Sequence, residues 1–229
     1  MSAQDQKIEA AREALRSVRG GMSLGLGTGS TAKEFVTLLG EALANGALSD
    51  IRCTCTSKQT EDQALSLGIP LFALAAIAPL DLAVDGADEI DARLRLIKGR
   101  GGALLREKIV ASASKRLVII VDESKLVERL GSHFALPVEL VPFGWRSAAR
   151  KLEALGAKVV LRPGPDGKPF VSDGGHYIVD CAFGPIASPA RLEGELNSIV
   201  GLVEHGLFLG MASEVIVAGR EGIKVLLPR

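Results

Sequence analysis

Residues 22–48 read MSLGLGTGSTAKEFVTLLGEALANGAL, and they set the architecture of the chain. Met22 to Leu26 is short and apolar, as a buried strand entering a turn should be. Gly27 and Gly29 follow, interleaved with Thr28, Ser30 and Thr31, and then Phe35, Val36, Leu39 and Leu43 recur at helical spacing. Strand, glycine loop and helix in that order make an anion cradle. Glycine permits the close backbone turn, and the first N–H groups of the helix carry partial positive charge. The loop has serine where a dinucleotide fingerprint has its third glycine, and it lacks the Gly-Lys-Ser/Thr of a nucleoside-triphosphate loop. A small phosphorylated metabolite suits it better than NAD or ATP.

The alternation continues outward from this unit. Residues 3–18 place Ile8, Ala11, Leu15 and Val18 on one helical stripe that ends at Gly20-Gly21. Strands are expected at 51–56, 80–84 and 117–121 (LVIIV), with helices over 57–67 and 104–114. Continuous apolar strands separated by helices predict a mostly parallel sheet covered on both faces. After Gly131, prolines at 137, 142, 163, 165 and 169 punctuate short strands near 138–141, 158–161 and 177–181, with helices at 145–155 and 190–199. That order suggests a small ferredoxin-like α+β unit. Apolar runs at 207–209, 214–218 and 224–227 are expected to rejoin the first sheet. The fold class is therefore α/β: a Rossmann-like sheet domain over 1–130 and 207–229, with a smaller α+β domain inserted at 131–206.

Lys plus Arg and Asp plus Glu balance at 27 each, so no global field favours nucleic acid or an anionic membrane. The three cysteines, 53, 55 and 181, and three histidines, 133, 176 and 205, show no zinc spacing, and buried reduced thiols are the expectation. Asp5 and Glu9 stand where a signal peptide would be apolar, and no apolar run approaches the ~20 residues of a membrane span. A soluble, cytoplasmic protein is expected.

The charged stretch 84–108, VDGADEIDARLRLIKGRGGALLREK, leaves the apolar strand at 80–84 and carries the chemistry. Glu107 is the candidate general base. Leu105, Ile109 and Ala113 define an apolar stripe, and position 107 lies ~200° around the helix from 105. A carboxylate can take a proton from carbon beside a carbonyl if a donor receives the enediolate oxygen, and Lys98 is the natural electrophile. Asp85 or Asp88 could move protons among sugar hydroxyls. A glutamate between Arg106 and Lys108 is more often simply solvated, but Thr28, Asp85 and Lys125 all fall at strand ends of one expected sheet, where α/β proteins bind ligands. From the residues alone the conclusion is an enzyme acting on a phosphorylated small molecule.

The segments GLGTGST (25–31), TSKQTEDQALSLGI (56–69), VDGADEID (84–91), KGRGGALLREK (98–108), DESK (122–125), LPVELVPFGW (136–145) and GLVEHGLF (201–208) together resemble the type A ribose-5-phosphate isomerase family, in matching order across nearly the whole chain. The resemblance implies interconversion of D-ribose 5-phosphate and D-ribulose 5-phosphate, in the non-oxidative branch of the pentose phosphate pathway. It implies ring opening and a cis-enediolate, with no cofactor and no metal. It makes Glu107 the proton carrier between carbons 1 and 2. Thr28, Gly29, Ser30 and Thr31 would cradle substrate, most plausibly its phosphate, and Asp85, Gly86, Ala87 and Asp88 would line the sugar, with Asp85 a candidate for ring opening. Lys98, Gly99, Arg100 and Gly101 would hold the oxyanion end, Lys125 would contact substrate, and Lys7 is a weaker phosphate candidate. A homodimer or homotetramer is implied. Arg100 stands where many members have glycine, so its backbone N–H is the expected contact; Leu105 stands where many have threonine.

Two other readings are open at this point. Glycine loops with a glutamate also occur in coenzyme A transferases, although no adenine or pantetheine signature is present. A non-catalytic sugar-phosphate-binding regulator would need a DNA-binding module or basic patch, and neither is visible.

Overall fold

The computed structural model describes residues 2–228. In chain order they form α1 (Ala3–Leu15), β1 (Ser23–Leu26), α2 (Ser30–Ala44), β2 (Arg52–Cys55), α3 (Lys58–Ser66), α4 (Leu74–Ile77) and β3 (Leu82–Asp85). Two short strands follow, β4 (Glu89–Ile90) and β5 (Leu96–Ile97), then α5 (Leu104–Ser112), β6 (Leu117–Asp122) and a 3-10 turn at Glu123–Lys125. The remainder is β7 (Leu136–Leu140), α6 (Trp145–Ala154), β8 (Lys158–Leu161), β9 (Tyr177–Ala182), α7 (Pro189–Asn197), β10 (Leu202–His205), β11 (Leu207–Phe208), β12 (Glu214–Gly219) and β13 (Gly222–Leu226). Among the described residues no helix is long and apolar enough to cross a membrane.

The chain divides into two compact units. The first comprises the residues through Ala87, Arg106–Lys125, and the chain from Met211 onward. Its six-stranded sheet runs β13-β12-β6-β3-β1-β2, parallel except for the β12–β13 edge pair. β1, β3 and β6 are buried along their whole length, which is why they read as unbroken apolar runs rather than alternating ones. The core joins Leu24, Leu26, Val84, Val118 and Ile120 of the sheet to Phe35, Val36 and Leu39 of α2. On α1 the buried face is made of Ala10, Ala11 and Ala14, small enough to let that helix lie close to its neighbours. Ile8 and Leu15, expected on the inward stripe, are only half-buried.

The second unit comprises Asp88–Leu105 and Leu126–Gly210. Its four-stranded antiparallel sheet has the order β10-β7-β9-β8, and with α6 and α7 it makes the βαββαβ pattern of a ferredoxin-like unit. Leu136, Val138 and Leu140 of β7 alternate with Pro137 and Glu139, and the first set packs with Leu152 and Leu196 of the two helices. Two expectations are corrected here. The run at 207–209 does not return to the parallel sheet, because Leu207 and Phe208 pair antiparallel with Ile97 and Leu96 of β5. Residues 88–105 pack with the second unit: β4 pairs with β5, and the buried Glu89 carboxylate accepts the backbone N–H groups of Gly131, His133 and Phe134.

Candidate active site

In the first unit the chain steps from β1 out to β2 and then returns past β1 to β3, so the strand order reverses between β1 and β3. The carboxyl ends beside such a switch point are where α/β sheets receive ligands. β1 delivers Thr28 there, β3 ends on Asp85, and β6 leads into the turn that carries a half-buried Lys125.

Asp85 ties the two strand ends together. Its Oδ1 accepts the N–H of Thr28 at 3.1 Å and that of Gly86 at 2.7 Å, while the Gly27 N–H donates to the Val84 carbonyl at 2.9 Å. Gly27 is required at its position by this contact: a Cβ there would lie 2.2 Å from Asp85 Oδ1 and 2.6 Å from its Cα. Thr28 Oγ1 is drawn the other way, into a hydroxyl cluster with Thr56 at 2.7 Å, Ser57 at 2.8 Å and Thr60 at 3.1 Å. Ser57 also caps α3, its Oγ accepting the Thr60 N–H at 3.1 Å. Thr56, Ser57 and Thr60 were assigned no role by sequence reasoning; the TSKQT run at 56–60 was the available signal.

The N-terminus of α2 has the uncapped, partly positive start to which anions are drawn. Gly29 sits at φ +114, a conformation that side chains resist, and no side chain caps the helix. Ser30 is exposed and Thr31 buried beside it, and Gly29, Ser30, Lys33, Gln59, Thr60 and Gln63 line a cleft of about 530 Å³. Lys7 lies half-buried on α1, the helix that packs against α2.

Glu107 is 5% exposed, whereas Ile109 is 45% exposed. The inward face of α5 is Leu104, Glu107, Val110 and Ala111, the side opposite the apolar stripe read at 105, 109 and 113. The angular separation was right and the buried side was inverted. Glu107 lines one small cavity with Gly25, Gly27, Thr56 and Asp85. Gly25 sets how close α5 comes, since a Cβ there would lie 2.4 Å from Val110 Cγ1. Three candidates from separate sequence motifs, Thr28, Asp85 and Glu107, thus converge in this unit.

The other candidates belong to the second unit. Lys98 is buried at the end of β5, its N–H donating to the Gly206 carbonyl at 2.9 Å and its Nζ lying 5.5 Å from the centre of the Phe208 ring. Asp88 Oδ2 accepts the Arg100 N–H at 2.9 Å, so the backbone donor expected to meet substrate is held within the loop. The Arg100 guanidinium stacks 4.6 Å from the Phe134 ring centre. Gly99 and Gly102 both have positive φ, and Gly101 is exposed between them.

Burial raises the thiols: Cys53 well above its ordinary range, Cys55 and Cys181 up to about 12. All three are free thiols. Among the described residues no three His, Cys, Asp or Glu side chains are grouped to hold a metal ion.

The family model for ribose 5-phosphate isomerase A (phosphoriboisomerase A) matches residues 52–222. The chain is 56% identical over 223 residues to ribose-5-phosphate isomerase A of Gloeobacter violaceus, covering 97% of this chain and 96% of that one. It is 52% identical over 226 residues to the Synechococcus enzyme of that name, covering 98% of each. Among solved structures, a D-ribose-5-phosphate isomerase in complex with phospho-erythronic acid superposes with a TM-score of 0.97 at 42% identity, covering 99% of this chain and 100% of that one. Ribose 5-phosphate isomerase A of Methanocaldococcus jannaschii gives 0.94 at 39% identity with the same coverage. With a family model over most of its length and relatives of this identity end to end, the chain belongs to the ribose 5-phosphate isomerase A family.

Proposed function

We propose that this chain interconverts D-ribose 5-phosphate and D-ribulose 5-phosphate in the non-oxidative branch of the pentose phosphate pathway. The observation that carries the reading is the buried Glu107 carboxylate lining one cavity with Asp85, in the unit that also holds the uncapped start of α2. Ser30, Thr31 and the α2 N-terminus take the phosphate, aided by Lys125 and Lys7; Thr28 and Gly29 shape that loop. Asp85, with Gly86, Ala87 and Asp88 along the sugar, assists ring opening. Glu107 then removes the proton from carbon 2 and returns it to carbon 1 through a cis-enediolate. Lys98 and, in the Gly99–Arg100–Gly101 loop, the Gly101 N–H receive the negative oxygen, the kind of stabilisation worth ~10²–10³ in rate per donor. A carboxylate base with fixed donors accomplishes this proton transfer without a metal or organic cofactor. The complex of a relative with phospho-erythronic acid supports a phosphorylated sugar as the small-molecule partner. A cytoplasmic homodimer or homotetramer completes the proposal.

The test is Glu107→Gln, which keeps the shape and removes the base. Ribose 5-phosphate binding should persist while isomerisation falls by ~10³ or more. Turnover near that of the parent would remove Glu107 from the mechanism.

A further inference from the structure

The glycine loop at 99–102 is gripped by a side chain that no motif singled out. Arg162, the residue after β8, donates Nε–H to Asp180 Oδ2 at 3.0 Å and a terminal N–H to Asp180 Oδ1. Its other terminal nitrogen donates to two successive carbonyls, Gly99 at 3.1 Å and Arg100 at 2.9 Å. The guanidinium has five N–H donors in a rigid plane, and this set uses four of them. Its side chain is 13% exposed, so little water competes. Phe170, next to the Arg162 plane at 5.8 Å, fills the other side of the loop, where a Cβ on Gly102 would meet its ring at 2.4 Å.

The consequence follows from peptide planarity. In a trans peptide the N–H points opposite to the carbonyl of the preceding residue. The 99–100 peptide is held at both edges, its carbonyl by Arg162 and its N–H by Asp88 Oδ2. The 100–101 peptide is held by its carbonyl alone, which turns the Gly101 N–H to the side away from Arg162, where Gly101 is exposed. We infer that Arg162, braced by Asp180, is a positioning residue that presets the Gly101 N–H as a donor to the enediolate oxygen. This rests on the assignment of residues 98–101 to the oxyanion end. The loop would otherwise have to be ordered during the reaction, because its glycines leave the peptide planes nearly unrestrained. Arg162 spends its fork on the loop rather than on substrate, so its effect should appear in the transition state and not in ground-state binding.

Arg162→Lys tests this, since an ammonium on a flexible stem cannot bridge a carboxylate and two carbonyls in one plane. The expected result is a kcat lower by ~10- to 100-fold, in line with the ~10²-fold cost of misplacing reacting groups by about 1 Å. KM for ribose 5-phosphate should stay within about threefold, as expected when only a transition-state contact is lost. Phospho-erythronic acid, whose carboxylate resembles the charged enediolate, should bind at least ~10-fold more weakly, and inorganic phosphate as well as before, since only the former reports the oxyanion donor. Asp180→Asn, a milder change that keeps Arg162, should move kcat in the same direction by a smaller factor, and it decides the matter if the lysine variant does not fold. Equal losses of phosphate and phospho-erythronic acid affinity, or parent-like kcat in both variants, overturn the inference. Lys98→Met, measured alongside, separates the two levels. If it abolishes turnover while the Arg162 and Asp180 variants are parent-like, only the positioning role fails; if it turns over normally, the oxyanion assignment fails and the positioning role with it.

Discussion

Replacing Gly27 with alanine probes the joint between the two strand ends at the candidate site. The added methyl would lie 2.2 Å from Asp85 Oδ1, 2.4 Å from its Cγ and 2.6 Å from its Cα, where ordinary carbon contacts are ~3.5–4.0 Å. Because the Cα belongs to the backbone, a rotamer change cannot relieve the clash, and the end of β3 must shift by about 1 Å. Overpacking of this kind costs ~1–3 kcal/mol. For a chain of this size that corresponds to a fall of roughly 2–12 °C in Tm, at ~2–4 °C per kcal/mol. The shift also lengthens the hydrogen bond from the Thr28 N–H to the Asp85 carboxylate, now 3.1 Å. Misplacing a reacting group by about 1 Å costs on the order of 10² in rate. Steady-state isomerisation of ribose 5-phosphate, alongside thermal unfolding followed by circular dichroism, should therefore show kcat/KM lower by about 10² together with the drop in Tm. A Gly27→Ala protein with parent-like Tm and parent-like turnover would refute both the packing argument and the role given to Asp85.

Other outcomes follow from the same geometry. Ser30→Ala combined with Thr31→Ala should raise KM for ribose 5-phosphate with a lesser effect on kcat; unchanged kinetics would move the phosphate elsewhere. Gly194 is exposed on α7 with nothing within 4 Å of an added Cβ, so Gly194→Ala should stabilise the protein by ~0.5–1 kcal/mol, and a lower Tm would contradict the helix assignment. Hydrogen bonds from Lys115 and from the Ser23 N–H lower the Asp81 carboxyl to about 2. A depressed folded value contributes stability that is complete above the unfolded value of ~4 and is lost as pH falls toward the folded one. The side chain is about a third exposed, and screening holds the effect to ~1 kcal/mol or less. The Tm difference between the parent and Asp81→Asn should accordingly shrink between pH 4 and pH 2, and a constant difference across that window would exclude the linkage.

Much of the fold was legible because parallel strands buried on both faces leave an unmistakable trace. LVIIV at 117–121 and LDLAV at 80–84 have no polar face to confuse the reading, and β6 and β3 follow from them. The shorter strands left no such trace. β4, β5 and β11 have two residues each, too few for a period to register, yet their pairing helps to carry 88–105 and 207–210 into the second unit. The site divided in the same way. Thr28, Asp85 and Lys125 sit at strand ends that the alternation locates, but the inward side of α5 was inverted. Periodicity assumes that the apolar stripe faces inward, and a helix that buries Glu107 while exposing Ile109 breaks that assumption. Arg162 was invisible for a different reason. Its partners Gly99 and Arg100 are more than sixty residues away, and carbonyl acceptors leave no mark on composition.

The hydroxyl cluster behind the anion loop also imposes a direction on its protons. Thr60 gives its proton to the Gly27 carbonyl and Thr28 donates to Ser57, so the 2.7 Å contact between Thr28 and Thr56 takes its proton from Thr56, with the Leu26 carbonyl a longer alternative acceptor at 3.2 Å. Since a hydroxyl has one proton and two lone pairs, Ser57 Oγ can pass its own proton to Thr60 Oγ1, 3.1 Å away. The relay then runs one way, from Thr56 through Thr28, Ser57 and Thr60 to the Gly27 carbonyl. Thr28 thus spends its hydroxyl proton inside the cluster, and its N–H is already committed to Asp85. Neither Thr28 donor remains for a ligand, and the loop's next donors are the first N–H groups of α2, at Ser30 and Thr31. Under the proposed function, a phosphate would accordingly be drawn past Thr28 to the start of α2 before any positively charged side chain contributes.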